Sequence, residues 1–133
     1  VIVLRYSNVY GARQREDVSG PNVFAALRKD KNEHGKVFIT GDGKQSRDFT
    51  HVKDIVRANL LAVKSNYKGT LDICTGINTS LNEIVEKYFK CGIEYINDRP
   101  GDKKHIIQSP ELAKEKIGYV YSIILDQGMV DVI

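Results

Sequence analysis

The stretch VKDIVRANLLAVKSNYKGTLDICTG, residues 52–76, decides the fold. Val52, Ile55, Val56, Leu60 and Val63 recur at helical spacing. Asp54 lies in the first turn, where a carboxylate favours the helix dipole. Thr70-Leu71-Asp72-Ile73-Cys74 then reads as a strand that stops at Thr75-Gly76. A helix feeding a strand is one unit of an alternating chain, and the segments on either side repeat it.

Upstream, Ile2 to Ser7 reads as a buried strand, followed by Tyr10-Gly11 and a charged loop through Gly20-Pro21. Val23, Phe24, Ala26 and Leu27 predict a helix that ends in the polar stretch Arg28 to Gly35. Val37-Phe38-Ile39 is a short strand stopped by the turn Gly41-Asp42-Gly43. Downstream, Ser80 and Glu83 form a capping box ahead of Ile84, Val85 and Tyr88. Ile93 to Ile96 is a strand running into Asn97-Asp98-Arg99-Pro100-Gly101-Asp102, and another is expected around Ile106-Ile107. Ser109-Pro110 caps a helix that stops at Gly118, and Leu125 to Ile133 predicts a last short helix. Alternation with no linker or repeat predicts an α/β or α+β architecture, in one domain spanning residues 1–133.

Composition narrows the function classes. The 133 residues are 28% charged and 41% apolar with a net charge of +3, ordinary for a soluble domain. That slight positive balance suits an anionic small molecule and lacks the concentrated basic stripe of a nucleic-acid binder. No apolar run is long enough to span a bilayer, so no membrane partner is expected. Cys74 and Cys91 have no metal-ligand or redox spacing and are expected to be free thiols in a cytoplasmic protein. The first residue is not methionine and already belongs to a strand, which suggests a truncated chain or incomplete gene.

Three polar segments follow strands, where open α/β sheets place their ligands. In Leu4 to Gln14, Asn8 can offer its amide to a phosphate or sugar oxygen, or simply satisfy backbone in a turn. In Gly41 to Phe49, Arg47 can clamp a diphosphate in bidentate fashion, or pair at the surface with Asp48 or Asp54. In Asp98 to Asp102, Arg99 and Asp102 can face a ligand bearing phosphates and hydroxyls, or form a solvated pair on a rigid turn.

Taken in order, LRYSNVYGARQ, GDGKQSRDFTHVKDIVRANLLAV, DICTGINTSLNEIVEKY, DRPGD, SPELAKEKIGY and LDQGM resemble the carboxyl-terminal half of the NAD-dependent epimerase/dehydratases, the extended short-chain dehydrogenase/reductases. The resemblance is greatest to UDP-glucose 4-epimerase. It implies the substrate-binding portion of an extended Rossmann-type fold with the NAD-holding Rossmann core largely missing. It also implies NAD as the cofactor of the parent enzyme and a nucleotide sugar, a UDP-hexose, as partner. By resemblance Asn8 contacts the diphosphate, Val23 lies near the base, Arg47 and Arg99 clamp the phosphates, and Asp102 contacts the ribose. Tyr6 and Ser7 lie where the family strand passes the nicotinamide. Ala12 and Tyr121 replace prolines common in the family, and Cys74 a glycine.

The catalytic parts are absent from this sequence. No Gly-x-x-Gly-x-x-Gly follows a strand, and none of the seven tyrosines has a lysine four residues later. The family uses such a pair to take the sugar hydroxyl proton, so no catalytic residue is assigned and the chain alone is expected to be inactive. A 4,6-dehydratase or decarboxylase origin, a stand-alone binding module and an inert fragment all stay open. Strand Ile2 to Ser7 should leave an apolar edge exposed, so self-association or a homodimer is also expected.

Overall fold

The computed structural model describes residues 1–17 and 22–133, so the expected loop end at Gly20-Pro21 lies outside the described residues. The elements run β1 (Ile2–Tyr6), β2 (Asn8–Tyr10), α1 (Val23–His34), β3 (Lys36–Thr40), β4 (Ser46–His51), α2 (Val52–Lys64) and β5 (Gly69–Ile73). They continue with β6 (Asn78–Ser80), α3 (Leu81–Ile84), a π-turn at Val85–Phe89, β7 (Gly92–Ile96), α4 (Glu111–Ile117), α5 (Leu125–Gly128) and a 3-10 turn at Met129–Asp131. Helices are interleaved with strands, mostly strand pairs rather than the single strands of a strict alternation, and the architecture is α/β.

The strands form three small sheets: β1 parallel to β5, β3 parallel to β7, and β4 between parallel β2 and antiparallel β6. Two apolar clusters lie against them. The first joins Tyr10, Phe24, Leu27, Val37, Ile39, Phe49, Phe89 and Met129, with the Phe24 and Phe49 rings 4.6 Å apart. The second joins Ile55, Ala58 and Ala62 of α2 to Leu71, Ile73, Ala113, Ile117 and Tyr119.

Two buried carboxylates tie loops to this frame. Asp48 accepts hydrogen bonds from the Thr75 and Gly76 amides and the Thr75 hydroxyl. Asp54 accepts from the Ser122 and Ile123 amides and the Ser122 hydroxyl, and pairs with Arg57 at 3.1 Å. Neither pairs with Arg47, so the surface pairing weighed for that arginine is replaced by backbone capture. Charged acceptors of several hydrogen bonds are the buried charges a fold tolerates.

Several expected boundaries move. The first strand breaks at Ser7, and it is not buried: Val3 and Tyr6 are 48% and 44% exposed because, among the described residues, β1 has only β5 as neighbour. Helix α1 ends at His34 with Gly35 as its cap, inside the polar stretch expected to close it, and the polar residues there have tertiary partners: Arg28 bonds to the Gln14 and Val132 carbonyls, and Lys31 to that of Phe89. Ser46–His51 is a strand the apolar pattern did not announce. Ile106 and Ile107 form no strand; the only pairing nearby is the isolated Ser46–His105 bridge. The last helix is split into α5 and the 3-10 turn. The Ser80–Glu83 capping box forms, and both cysteines are free thiols, with burial pushing Cys74 up to about 12.

Candidate functional site

One cavity of about 250 Å³ is lined by Asn8, Val23, Arg47, Arg99 and Asp102 together. They come from four separate parts of the chain. Asn8 begins β2, opposite Phe49 of β4, and Val23 opens α1 just after the Asn22 cap. Arg47 lies on β4, while Arg99 and Asp102 belong to the loop after β7. The turn between β3 and β4 aims this strand at the cavity. It needs Gly43, whose φ of +73° is costly for a residue with a β-carbon.

The guanidinium of Arg47 is held by four acceptors. Nη1 donates to the Ser46 carbonyl at 2.8 Å and the Lys104 carbonyl at 3.2 Å. Nη2 donates to the Lys103 carbonyl at 2.6 Å and to Asp102 at 3.4 Å. The carbonyls are the close partners, and the carboxylate sits at the long end of hydrogen-bond range. Arg99 makes no ion pair among the described residues. Asp30 and Asp102 add two carboxylates to the two arginines of the wall.

The lining also has an apolar part, with Ala26, Leu27, Phe38, Ile39 and Leu81. Gln45, 4% exposed, also lines the cavity, and the sequence reading passed it over. Its Nε2 donates to the Thr40 carbonyl at 2.8 Å, so Oε1 is the free acceptor, and that buried atom has no protein partner. An orphaned buried acceptor is expensive unless a ligand or water donates to it. No sequence pattern marks such an amide.

A second cavity, of about 360 Å³, is lined by Arg5, Tyr6, Ser7, Asn8, Asp72 and the 106–108 segment, at the carboxyl end of β1. Asn8 belongs to both cavities. Tyr6 and Ser7 therefore stand apart from the five residues above. Tyr6 donates its hydroxyl to Asn59 at 3.1 Å, and Ser7 and Thr50 share a 2.6 Å hydrogen bond. The largest cavity, an open groove of about 800 Å³ beside Asn78, Glu86 and Leu125, has its Lys87 paired with Asp126 at 2.6 Å. It contains none of the predicted residues.

The described residues do not fit a complete dinucleotide site. The helices that follow strands begin at His51 and Ser80 side-chain caps, with no glycine-rich turn to bring backbone amides onto a pyrophosphate. Among the described residues no group of three His, Cys, Asp or Glu could hold a metal ion. No helix among them is long and apolar enough to cross a membrane.

The profile of the NAD dependent epimerase/dehydratase family matches residues 1–74. A putative UDP-glucose 4-epimerase of Methanocaldococcus jannaschii is 37% identical over 96% of this chain, which covers 42% of that protein. The UDP-glucose 4-epimerase of Thermotoga maritima, solved with UDP-glucose, superposes with a TM-score of 0.89 at 33% identity, over 98% of this chain and 44% of its own. The UDP-N-acetylglucosamine 4-epimerase of Methanobrevibacter ruminantium, solved with UDP-N-acetylmuramic acid, gives 0.88 at 30% identity, over 98% and 44%. The chain spans less than half the length of each.

Proposed function

The chain belongs to the NAD-dependent epimerase/dehydratase family, and we propose that it forms the nucleotide-sugar-binding side of a UDP-sugar 4-epimerase. The observation that carries this reading is the convergence of Asn8, Val23, Arg47, Arg99 and Asp102 on one cavity. Arg47 and Arg99 neutralise the diphosphate, Arg47 with the fork geometry that suits phosphate oxygens. The apolar wall of Leu27, Phe38 and Ile39 takes the flat faces of the base. Gln45 Oε1 accepts a base N–H or ribose hydroxyl, which relieves its orphaned state.

Electrostatics sets a condition on binding. Two carboxylates offset the two arginines, so an anion gains most when Asp102 leaves Arg47. The 3.4 Å separation makes that exchange cheap, and the released carboxylate can accept from the ribose hydroxyls. At about 250 Å³ the cavity is smaller than usual ligand pockets, so it holds the nucleotide end only. The adjoining cavity, reached past Asn8, takes the sugar. There Tyr6 and Ser7 supply wall rather than hydrogen-bonding groups toward the nicotinamide side.

NAD supplies hydride chemistry in this family, and none of the described residues cradles its pyrophosphate. This chain alone therefore binds without turnover. Calorimetric titration with UDP, dTDP, GDP and NAD tests the reading. Saturable UDP binding that Arg99→Ala weakens is expected, with no NAD binding. Equal affinity for NAD and UDP, or none for any nucleotide, would contradict it.

A further inference from the structure

The segment between β7 and α4, residues 97–110, has no regular structure beyond the one bridge at His105. Its two large apolar residues, Ile106 and Ile107, are 37% and 87% exposed. It nevertheless carries Arg99 and Asp102 to the nucleotide cavity. Apolar packing does not fix such a loop, so the hydrogen bonds that tie it to the scaffold must.

The loop is tied at both ends. At its start the Gly41 amide donates to the Ile96 carbonyl at 2.9 Å. Toward its far end, Arg47 donates to the Lys103 and Lys104 carbonyls. A second set of ties there uses no arginine. The Ser46 amide donates to the Lys104 carbonyl at 2.9 Å, and Ser46 Oγ shares a 2.8 Å hydrogen bond with His105 Nδ1. Asn78 Nδ2 donates to the Ile106 carbonyl at 3.0 Å and to Ser46 Oγ at 3.3 Å. A hydroxyl has one proton and two lone pairs, so Oγ accepts from Asn78 and completes the bond to either tautomer of His105. The Lys104–Asp98 pair is exposed on both sides and adds little.

Arg47 cannot keep its full grip on this loop and also turn to a diphosphate, because the same Nη donors would serve both. The ties through Ser46 and Asn78 persist when Arg47 changes partner. We infer that Ser46 and Asn78 are positioning residues for nucleotide binding: they hold the far end of loop 97–110 on β4 and β6, and so keep Arg99 and Asp102 at the cavity while Arg47 engages the ligand. Neither residue lines that cavity, so each acts through the loop. The inference rests on the reading of Arg99 and Asp102 as nucleotide contacts.

The test is calorimetric titration of variants of this chain with UDP. Ser46→Ala should weaken binding roughly 3-fold to 10-fold, the worth of ordinary hydrogen bonds, with the thermal-unfolding midpoint unchanged. Ser46→Thr, which keeps the hydroxyl, should restore the affinity. In an Arg99→Ala background the loss from Ser46→Ala should largely disappear, whereas in an Asn8→Ala background, on β2, it should stay whole. Additive losses in both backgrounds, or a loss that Ser46→Thr does not restore, overturn the inference. A parent chain that binds no UDP overturns the functional reading instead, and the positioning role is then decided without nucleotide. There Ser46→Ala and Asn78→Ala should each move the Arg99 and Asp102 amide resonances and leave Val23 and Leu27 in place. Unmoved Arg99 and Asp102 resonances overturn the inference whether or not UDP binds.

Discussion

The two apolar clusters are built from similar residues but closed to different degrees. The cluster around Tyr10, Phe24 and Phe49 is wrapped by α1, the sheets and the carboxyl-terminal turn, and it borders the cavity where Asn8, Arg47 and Arg99 meet. The cluster under α2 is closed toward the tail by Tyr119 and Asp54 and open along Val56, Leu60 and Val63. One region is finished within this chain; the other has an apolar flank left over. Ligand contacts thus sit on a self-sufficient scaffold, while the outer flank of α2 stays open.

The comparison breaks first if the closed flank of α2 matters little. Asp54→Ala removes the acceptor of the Ser122 and Ile123 amides and of the Ser122 hydroxyl. We expect a loss of about 3–5 kcal/mol in urea unfolding, from roughly 1–3 kcal/mol for each donor left without its acceptor. Leu71→Ala, in the same cluster and fully buried, should cost about 2–5 kcal/mol by leaving a cavity. Leu60→Ala, on the open flank, should change stability by less than about 0.5 kcal/mol. A cost for Leu60→Ala close to that for Leu71→Ala would mean that this flank is covered in the isolated chain.

A smaller effect sharpens the other side of the comparison. Arg47→Ala should weaken UDP by roughly 10-fold to 100-fold in a titration, the worth of a hydrogen-bonded charge. The loss should be near the lower bound, since the Arg47 donors are already shared with the Lys103 and Lys104 carbonyls.

The smallest expected effect is on pH dependence. His51 caps α2 by accepting the Lys53 amide on Nδ1, and burial, then Lys53, holds its pKa below the usual imidazole value. The neutral form is therefore favoured in the fold. That stability is fully present above about pH 6.5, the unfolded value, and is lost as pH falls through the lower folded value. His51→Asn keeps a capping acceptor and should flatten the thermal-unfolding midpoint across this window.

Much of this was readable in advance, for physical reasons that differ by element. The helix 52–64 and the strand after it announce themselves because the helical apolar spacing of one and the alternation of Leu71 and Ile73 in the other are local signals. The Ser80 box is likewise local. Strand Ser46–His51 was missed because its polar residues are satisfied at long range, Asp48 by Thr75 and Gly76. Periodicity found Val56 and Leu60 but cannot tell a core face from an exposed one. Asn8, Arg47, Arg99 and Asp102 stand out as polar groups that follow strands, Val23 comes only from resemblance to a family, and Gln45 emerges only from its unpartnered oxygen.

The most direct measurement of the central claim is a titration of the isotopically labelled chain with UDP followed by amide chemical shifts. Saturable shifts are expected at Asn8, Val23, Gln45, Arg47, Arg99 and Asp102, with Val3 and Leu60 unmoved. Shifts confined to the groove beside Glu86 and Leu125, or none at saturating UDP, would contradict the assignment of the nucleotide to this cavity.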